Sequence, residues 1–443
     1  MPANQDSAAP AARPGGRSAA TPFWWDAAPP RDAGEEGSLP REVDALVVGA
    51  GFTGLSAALT LLRGGRSVLV CDRGAIGEGA SSRNGGQVGA KLRPGFGTLI
   101  ARYGEAKAVA LAREGMLARA YIEQVVREEE IDCDFTPAPR FQGAHLARDY
   151  DYVTRAAELM REKLDFPAEP VPRGEQHRVI ASDAYQGGVL DRSTAMFHPG
   201  KFVDGLGRRV QAEGGLIASR TEVRAAARQP AGFQVETSRG AVLARNLVVA
   251  TNGYSGKAFP YFRRRIVPIG SYIIATAPQP REAIDALMPG CRLMIDTRKA
   301  ASYMRVSPEG DRILYGGRVA ARDISPQASG PRLKAVLDHI FPQLRGVGYS
   351  HSWMGFTGFT LDDLPHIGEH DGVHYAMGYC GTSGTSLGTY LGHKVGLRVL
   401  GRGDASRTAF DDLEFPSHPL YSGSPWFLSA MVAFYRLRDR LGI

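Results

Sequence analysis

Residues 42–72 form a predicted strand–helix–strand unit, and this unit constrains the fold more than any other part of the chain. The apolar, β-branched run 42–48 predicts a buried parallel strand, and the glycine-rich turn 49–54 follows it directly. A helical pattern then leads into a second strand, 67–71, which ends at Asp72. Strand, glycine turn, helix, strand and acid in this order predict a doubly wound sheet that binds a dinucleotide.

The spacing of the glycines matches the chemistry of such a site. Gly49 suits the tight turn, Gly51 lets a pyrophosphate approach the backbone, and Gly54 lets the helix pack closely on the strand. Asp72 follows Gly54 by 18 residues, close to the ~20 expected of an acid that binds a ribose hydroxyl. This unit alone fits both FAD and NAD(P), because both present an adenosine diphosphate to the same turn.

A second glycine-rich stretch favours the flavin. Residues 77–87, with the sequence GEGASSRNGGQ, are too long and too specialised for a plain strand-to-helix connection. The chain holds 54 glycines in 443 residues, well above the usual ~7%, which indicates tight turns and close approaches of backbone to a ligand. A nicotinamide enzyme does not need this additional contact.

Four motifs follow one another along the chain, at residues 49–54, 79–87, 250–254 and 361–368 with 378–381. Together they make the chain resemble the D-amino-acid-oxidase-like flavoproteins. This family includes glycine and sarcosine oxidases, and the chain is most similar to its γ-glutamylputrescine oxidase-like enzymes. The resemblance runs from about Phe23 to the end of the chain.

The resemblance implies a cofactor, FAD, and a set of residues that contact it. The loop 80–87 is expected to run along the flavin, Val223 to contact adenine through its backbone, and residues 378–385 to present N–H groups to the pyrimidine side of the flavin. The implied FAD contacts are Gly49, Ala50, Gly51, Phe52, Thr53, Gly54, Asp72, Arg73, Ala80, Ser81, Ser82, Arg83, Asn84, Gly85, Gly86, Gln87, Val223, Ala250, Thr251, Asn252, Gly378, Gly381, Thr382, Ser383, Gly384 and Thr385.

The predicted fold is α/β plus β, with a Rossmann-like FAD-binding domain of the glutathione-reductase type and a mixed-sheet substrate domain. We expect the FAD-binding domain to be discontinuous, over 41–95, 195–262 and 345–405, and the substrate domain to comprise 96–194 and 263–344. Residues 1–40 are Ala-, Pro- and Gly-rich and predict a disordered arm. Only the aromatic residues 23–25 interrupt that arm, as a local clamp onto the body. Residues 406–443 are expected to pack on the body as a C-terminal extension.

The resemblance also implies oxidation of a C–N bond. Hydride would pass from the amine carbon to flavin N5, water would hydrolyse the imine, and dioxygen would reoxidise the flavin to give hydrogen peroxide. The amine must lose its proton first, and no base can be named from the sequence. The candidate catalytic residues, at strand positions expected to face the flavin, are Tyr272, Tyr303, Arg305, Arg318 and Trp353.

Three features of the family are missing from this chain. The stretch 353–357 lacks the cysteine of covalently flavinylated relatives, so we expect noncovalent FAD. The strand 312–317 lacks the lysine with which relatives activate oxygen, so a dehydrogenase with another electron acceptor stays open. Residues 382–385 lack the lysine that binds a small amino acid's carboxylate, which favours a longer amine over a glycine-sized substrate.

Other enzyme classes fit parts of the sequence. An NAD(P)-dependent Rossmann dehydrogenase is the second hypothesis, and a hydrolase is the third, because residues 384–388 match the G-x-S-x-G nucleophile motif around Ser386, with Asp411 and His418 following in hydrolase order. The histidines 366, 370 and 374 have helical spacing, but Pro365, Gly368 and Gly372 interrupt any helix there. We therefore expect no metal site.

Composition limits the partners. The net charge of +7 comes from scattered arginines, which does not favour nucleic-acid binding. The 4 cysteines are far apart, and no apolar stretch approaches the ~20 residues of a membrane helix. We expect a cytoplasmic enzyme that binds a small amine and dioxygen or another acceptor, without nucleic acid or membrane. The C-terminal run 425–435, followed by arginines, is expected to pack on the body rather than lie on a membrane. No feature specifies an oligomeric state.

Overall fold

The computed structural model describes residues 18–33, 37–298 and 302–441. Within these ranges the strands form two large mixed sheets and one small one. The strands are β1 (Glu42–Val48), β2 (Val68–Cys71), β3 (Gln87–Val88), β4 (Thr136–Pro137), β5 (Arg140–Gly143), β6 (Ala168–Val171), β7 (Gly188–Asp191), β8 (Ala195–Met196), β9 (Leu216–Ala218), β10 (Val223–Gln229), β11 (Gly232–Thr237), β12 (Gly240–Val249), β13 (Val267–Thr276), β14 (Leu293–Asp296), β15 (Ser302–Val306), β16 (Ile313–Gly317), β17 (Tyr349–Phe359), β18 (His366–His370) and β19 (Val373–Met377).

Helices cover the sheets and connect their strands. They are α1 (Phe52–Arg63), α2 (Phe96–Tyr103), α3 (Glu105–Glu128), α4 (Ala147–Leu164), α5 (Pro199–Ala212), α6 (Pro260–Arg263), α7 (Arg281–Leu287), α8 (Pro326–Ile340), α9 (Gly384–Val399) and α10 (Leu428–Leu441).

The first sheet is the predicted nucleotide-binding sheet. Its main strand order is β10-β11-β12-β1-β2-β9, and β19 pairs with the second half of β12. The strands β12, β1, β2 and β9 run parallel, and Val48 aligns with both Cys71 and Val249. The carboxyl ends of β1, β2 and β12 therefore meet at one level, which is where open α/β sheets bind their ligands. This arrangement confirms the predicted α/β fold.

Helices α1 and α9 pack closely beside this sheet because both carry small residues at their contact. A Cβ on Gly396 would lie 2.7 Å from the Thr60 Cβ. Helix α3 joins the same apolar core through Ala118 and Ile122, which are fully buried. Helix α3 also packs against α9, while the assignment of residues 105–128 to the substrate domain stays a prediction.

The second sheet has the order β17-β13-β16-β15-β14-β5-β7-β6. It contains the strands expected near 267–277, 301–306 and 312–319, and β13, β15 and β16 pair antiparallel as the alternating pattern predicted. Strand β17 pairs with β13 over its whole length, so it belongs to this sheet rather than to the FAD-binding segment 345–405. The small third sheet has the order β3-β8-β4.

The N-terminal residues 18–33, called the N-terminal strap below, lie on the folded body. Ala19 bridges to β17, donating its N–H to the Ser350 carbonyl at 2.9 Å, and Trp24 is fully buried. Farther along, Arg31 forms an ion pair with Asp204 at 2.9 Å. The predicted disorder is wrong for 18–33, because the buried aromatic residues offset the entropy cost of ordering a polar segment. Of the predicted arm 1–40, residues 1–17 and 34–36 lie outside the described residues.

The C-terminal extension packs on the body only in part. Phe410, Phe415 and Tyr421 are buried, whereas Trp426 is 68% exposed and Phe434 is 56% exposed. No helix in the described ranges is both long enough and apolar enough to cross a membrane.

Candidate active site

The glycine turn after β1 has the geometry of a pyrophosphate cradle. Gly49 has a φ of +111°, which favours glycine, and a Cβ there would lie 2.9 Å from the Ala250 carbonyl oxygen. A Cβ on Gly51 would lie 2.7 Å from Ser81 Oγ. The first N–H groups of α1 have no acceptor within the helix, so they can bind an anion at the positive end of the helix dipole.

Asp72 lies directly beside this turn. Its carboxylate accepts N–H groups from Ala50 at 2.7 Å and Gly74 at 2.8 Å. Burial raises the pKa of Asp72, and these two hydrogen bonds oppose that rise. The Arg73 guanidinium is exposed and lies 5.6 Å from the centre of the Tyr254 ring. The acid predicted to bind ribose is thus fixed against the turn by two backbone N–H groups.

The ends of β12 and β19 bring two further predicted segments to the turn. The Ala250 N–H donates to the Val48 carbonyl at 2.9 Å, and Asn252 Oδ1 accepts the Gly378 N–H at 3.0 Å. Thr251 follows Ala250 and its hydroxyl pairs with Ser255 at 2.8 Å. At one edge of the sheet, Val223 begins β10 and is 8% exposed.

Residues 80–87, called the cofactor loop below, are held in shape by hydrogen bonds within the loop. Asn84 Nδ2 donates to the carbonyls of Ala80 and Ser81, and Asn84 Oδ1 accepts the Gly86 N–H at 2.8 Å. The hydroxyl of Ser81 accepts the Phe52 N–H at 3.1 Å. The cofactor loop is therefore hydrogen-bonded to the first turn of α1. The predicted phosphate-binding turn and the predicted flavin-binding loop thus form one continuous site.

One face of the second sheet lies against the cofactor loop. Trp353 Nε1 donates to the Arg83 carbonyl at 2.9 Å, and Arg305 Nη1 donates to the Gly86 carbonyl at 2.8 Å. Tyr303 lies between Gly85 and Gly316, since a Cβ on either glycine would lie 3.0 Å or less from its ring. Three of the five predicted catalytic residues are thus brought to the loop.

The charge states of these residues follow from burial. Burial lowers the pKa of Arg305 to about 9, which leaves the guanidinium charged at neutral pH. Burial raises the pKa of Tyr303 to about 12, and its phenol pairs with the Ser271 hydroxyl at 2.9 Å. Tyr303 is therefore a neutral hydrogen-bonding group and not a base.

Tyr272 and Arg318 do not face the cofactor loop as predicted. Tyr272 pairs with Met354, one residue out of step with Trp353, so its side chain enters the opposite core. There its hydroxyl accepts the Ile324 N–H at 2.8 Å. Arg318 instead binds the Gly270 carbonyl at 2.7 Å and Asp323 at 2.8 Å, which fixes the connection after β16.

Residues 378–385, called the C-terminal glycine motif below, join the cofactor loop from the other side. Gly378 and Gly381 have φ values of +90° and +82°, and Gly384 begins α9 after Ser383. The Thr382 carbonyl accepts the Gly89 N–H at 3.1 Å, and Thr385 Oγ1 donates to the Gln87 carbonyl at 3.4 Å. The start of α9 thus adds a second set of helix N–H groups to the site.

A buried charge cluster lies behind this motif, and the sequence reasoning missed it. Arg140 is 1% exposed and donates to the Thr382 hydroxyl and to Asp191 Oδ2, the latter at 3.0 Å. Lys91 Nζ lies 3.8 Å from the same Asp191 oxygen. Two cations therefore share one carboxylate beside the C-terminal glycine motif. No short spacing in the sequence signals this cluster, because its members come from separate strands and loops.

The site also leaves buried polar atoms without a protein partner in the described ranges. They belong to residues of the cofactor loop, the C-terminal glycine motif and the facing sheet. These atoms are Gln87 Oε1, Arg305 Nη2, Tyr379 Oη and Ser383 Oγ. Buried polar atoms in folded proteins nearly always have a partner, so a polar ligand belongs here. Together with the glycine turn and Asp72, this donor and acceptor set fits FAD.

Comparison with known proteins decides the family. The chain matches the family described as FAD dependent oxidoreductase (DAO) over residues 44–396. The chain belongs to this family. Because this family is FAD dependent, the predicted cofactor, FAD, is confirmed and the nicotinamide hypothesis is wrong.

Similar proteins agree with this assignment. Over 412 residues the chain is 32% identical to the gamma-glutamylputrescine oxidoreductase of Escherichia coli (strain K12), which covers 90% of the chain and 93% of that protein. It is 30% identical to the probable oxidoreductase OrdL of Rhizobium meliloti (strain 1021) over 406 residues, again 90% and 93%. The crystal structure of glycine oxidase from Geobacillus kaustophilus superposes with a TM-score of 0.70 at 20% identity, covering 86% of the chain and 99% of that structure.

The hydrolase hypothesis is wrong for this family member. Ser386 is fully buried in α9, and its hydroxyl donates to the Gly89 carbonyl at 2.7 Å and the Ser383 carbonyl at 3.0 Å. Asp411 pairs with Arg398, and the ring of His418 accepts the Leu420 N–H. These groups do not form a nucleophile–base pair.

The three evenly spaced histidines lie on the antiparallel strands β18 and β19 and have separate partners. His366 binds Asp362 at 3.1 Å, and His370 stacks on Tyr261. His374 faces Glu369 at 3.8 Å. No group of three or more His, Cys, Asp or Glu side chains in the described ranges could hold a metal ion.

Replacing Ser386 with alanine tests the structural role assigned to its hydroxyl. We expect Ser386→Ala to retain FAD and turnover, and to lose about 1 kcal/mol of unfolding free energy because one buried hydrogen bond to Gly89 disappears. Denaturant unfolding and the flavin absorbance of the purified variant measure both effects. Loss of all turnover with FAD still bound would contradict the structural role.

Proposed function

We propose that the protein oxidises the C–N bond of an amine or amino-acid-like substrate, with noncovalent FAD as its cofactor and dioxygen as the final electron acceptor. The observation that carries this proposal is the enclosure of the cofactor loop between the C-terminal glycine motif and the face of the second sheet that holds Tyr303, Arg305 and Trp353. Bound FAD supplies the two-electron acceptor for the amine carbon. Glycine and gamma-glutamylputrescine, after which two similar proteins are named, support an amine substrate.

The chain's own residues favour the unprotonated amine. Arg83 belongs to the cofactor loop, and Arg305 binds the same loop from the sheet. Like charges nearby disfavour an ammonium and lower the pKa of an approaching amine. Since the phenol of Tyr303 is protonated at neutral pH, it can hold the substrate by a hydrogen bond without taking the proton. We therefore propose that these cations and desolvation lower the pKa of the amine, and that the amine loses its proton to water rather than to one protein base.

The positions of the cysteines support noncovalent binding of FAD. All four are buried, and burial raises the pKa of Cys380 to about 12, which keeps its thiol protonated. Cys380 lies in the C-terminal glycine motif, where its Sγ is 3.7 Å from the Asp363 carbonyl. A protonated, buried thiol is a poor nucleophile.

An anaerobic titration tests the proposed function. We expect the purified protein to show flavin absorbance, to release all of it into the supernatant on acid precipitation, and to bleach when a primary or secondary amine is added without oxygen. The panel should include amines with and without a carboxylate. A yellow protein that no amine bleaches, although dithionite does, would overturn the proposed substrate class.

The electron acceptor needs a separate measurement. Admitting air to the amine-reduced protein should restore flavin absorbance with one hydrogen peroxide per amine oxidised. The buried strand β16 carries no lysine to assist the reaction with oxygen. Reoxidation that requires a quinone or dye instead of air would convert the proposal to an amine dehydrogenase.

A further inference from the structure

Three consecutive residues of the cofactor loop each accept a hydrogen bond from an indole N–H. The donors are three of the chain's 4 tryptophans. The pairs are Trp25 Nε1 to Ser82 Oγ at 2.9 Å, Trp353 Nε1 to the Arg83 carbonyl at 2.9 Å, and Trp24 Nε1 to the Asn84 carbonyl at 2.8 Å. Trp353 comes from the second sheet, whereas Trp24 and Trp25 come from the N-terminal strap.

Cations of the site also stack on the two strap tryptophans. The Arg83 guanidinium lies 4.5 Å from the centre of the Trp25 ring, and the Arg305 guanidinium lies 5.2 Å from that of Trp24. Arg305 in turn donates to the Gly86 carbonyl. Each strap indole therefore reaches the cofactor loop twice, once through its N–H and once through a cation on its ring.

The N-terminal strap is hydrogen-bonded to the folded body at both ends. It can therefore restrict the movement of the cofactor loop. Ser352 donates its N–H to the Ala19 carbonyl at 2.9 Å, which anchors one end to β17. At the other end the Ser219 N–H donates to the Ala33 carbonyl at 2.9 Å, beside the nucleotide-binding sheet. The strap also lies outside residues 44–396, the part matched by the family.

We propose that Trp24 and Trp25 are positioning residues for FAD. The cofactor loop is rich in Gly, Ser and Asn and loses much conformational entropy when it is ordered around a ligand. The strap fixes the loop in advance, which strengthens binding of the cofactor. This inference rests on the proposed FAD contacts of the loop, but it does not depend on the substrate.

The experiment compares FAD release from four holoproteins: wild type, Trp24→Phe, Trp25→Phe and Trp426→Phe. Trp426 is the matched control, because it is 68% exposed and its Nε1 donates to the Leu420 carbonyl at 3.0 Å, away from the site. Flavin fluorescence after dilution gives the release rate, and a titration gives the dissociation constant. We expect about a tenfold weaker FAD affinity for each strap variant and no change for Trp426→Phe.

A double-mutant cycle separates positioning from general stability. Ser82→Ala removes the acceptor of Trp25, so Trp25→Phe should weaken FAD binding far less in the Ser82→Ala background than in the wild type. The flavin midpoint potential should shift in the strap variants and stay constant in Trp426→Phe. Additive effects, or variants that unfold at lower temperature but bind FAD like the wild type, would overturn the inference.

The two proposals fail separately. If amines bleach the flavin while the strap variants bind FAD normally, the positioning role is wrong and amine oxidation stands. If the strap variants lose FAD affinity while no amine bleaches the wild type, the positioning role stands and the proposed substrate class is wrong.

Discussion

Replacing Gly54 with valine will produce a protein that holds no FAD. A Cβ at this position would overlap the Gly49 carbonyl oxygen, and it would lie 3.0 Å from the Gly49 carbonyl carbon and 3.2 Å from Val47 Cγ1. The Gly49 carbonyl belongs to the turn that cradles the pyrophosphate, so helix α1 must move away from β1 and take its first N–H groups with it. We expect a loss of about 3–5 kcal/mol in unfolding free energy together with the cofactor.

The matched control is Gly97→Ala. Gly97 also lies in a helix, α2, but a Cβ there meets nothing within 4 Å. Alanine at such a position stabilises the protein by about 0.5–1 kcal/mol, because glycine loses more conformational freedom on folding. Flavin absorbance per mole of protein and urea unfolding measure both variants. A Gly54→Val protein with one FAD per chain would contradict the role given to this contact.

The βαβ unit was predictable because its signals are local. Residues 42–72 carry the strand period, the glycine turn and the terminal acid within a single stretch of chain, and the structure has β1, α1 and β2 there. The C-terminal glycine motif was predictable for the same reason. In both cases a helix start follows a strand end, and the glycines mark where the backbone needs a positive φ or a close approach.

The side-chain directions in the second sheet were harder to predict. Residues 272 and 353 both lie on strands, but the register pairs Ile273, not Tyr272, with Trp353. A difference of one residue sends a side chain to the other face of the sheet. Register depends on pairing between β13 and β17, which are far apart in sequence, and no local pattern specifies it.

The average composition of residues 1–40 did not predict the ordered N-terminal strap. Residues 1–40 together resemble a disordered segment, whereas Trp24 alone buries a large apolar ring and a satisfied N–H in the site. The aromatic residues 23–25 were the available signal, and they correctly indicated a clamp. What the sequence could not indicate is the part of the body they hold.

The cluster of Lys91, Arg140 and Asp191 connects the second sheet to the C-terminal glycine motif. Arg140 lies on β5 and Asp191 on β7, and the register places them directly opposite each other on the second sheet. Since Arg140 also donates to Thr382, the ion pair positions the C-terminal glycine motif as well as the sheet. Both the stability of the sheet and the shape of the cofactor site therefore depend on one carboxylate.

Replacing Asp191 with alanine will strongly destabilise the protein and weaken FAD binding. The substitution leaves the fully buried Arg140 and the partly buried Lys91 without their shared anion, and breaking a buried pair in this way costs about 3–5 kcal/mol. Burial already lowers the pKa of Lys91, so this lysine gives up its proton more readily when Asp191 is absent. Urea unfolding and FAD titration at neutral pH measure the two losses.

The pH dependence gives a second readout. Burial opposes the charged form of Asp191, but Lys91, Arg140 and Ser193 outweigh it, so the pKa of this carboxyl lies below its ordinary value. A lowered carboxyl pKa contributes stability above the unfolded value of about 3.9, and this contribution is lost as the pH falls through the folded value. Stability of the wild type should therefore decrease in acid more steeply than that of Asp191→Ala.

Asp404→Ala is the control. Asp404 forms an ion pair with Arg407 at the surface, where the Asp404 side chain is 89% exposed and the Arg407 side chain is 79% exposed. Exposed pairs contribute roughly 0–1 kcal/mol, so this variant should unfold like the wild type. Adding Lys91→Met to Asp191→Ala removes one of the two cations that have lost their partner. The double variant should recover part of the lost stability, because burying an apolar side chain costs less than burying an unpaired charge. Equal stability of the single and double variants would show that Lys91 is not held by Asp191. In that case Arg140 alone would link the carboxylate to the C-terminal glycine motif.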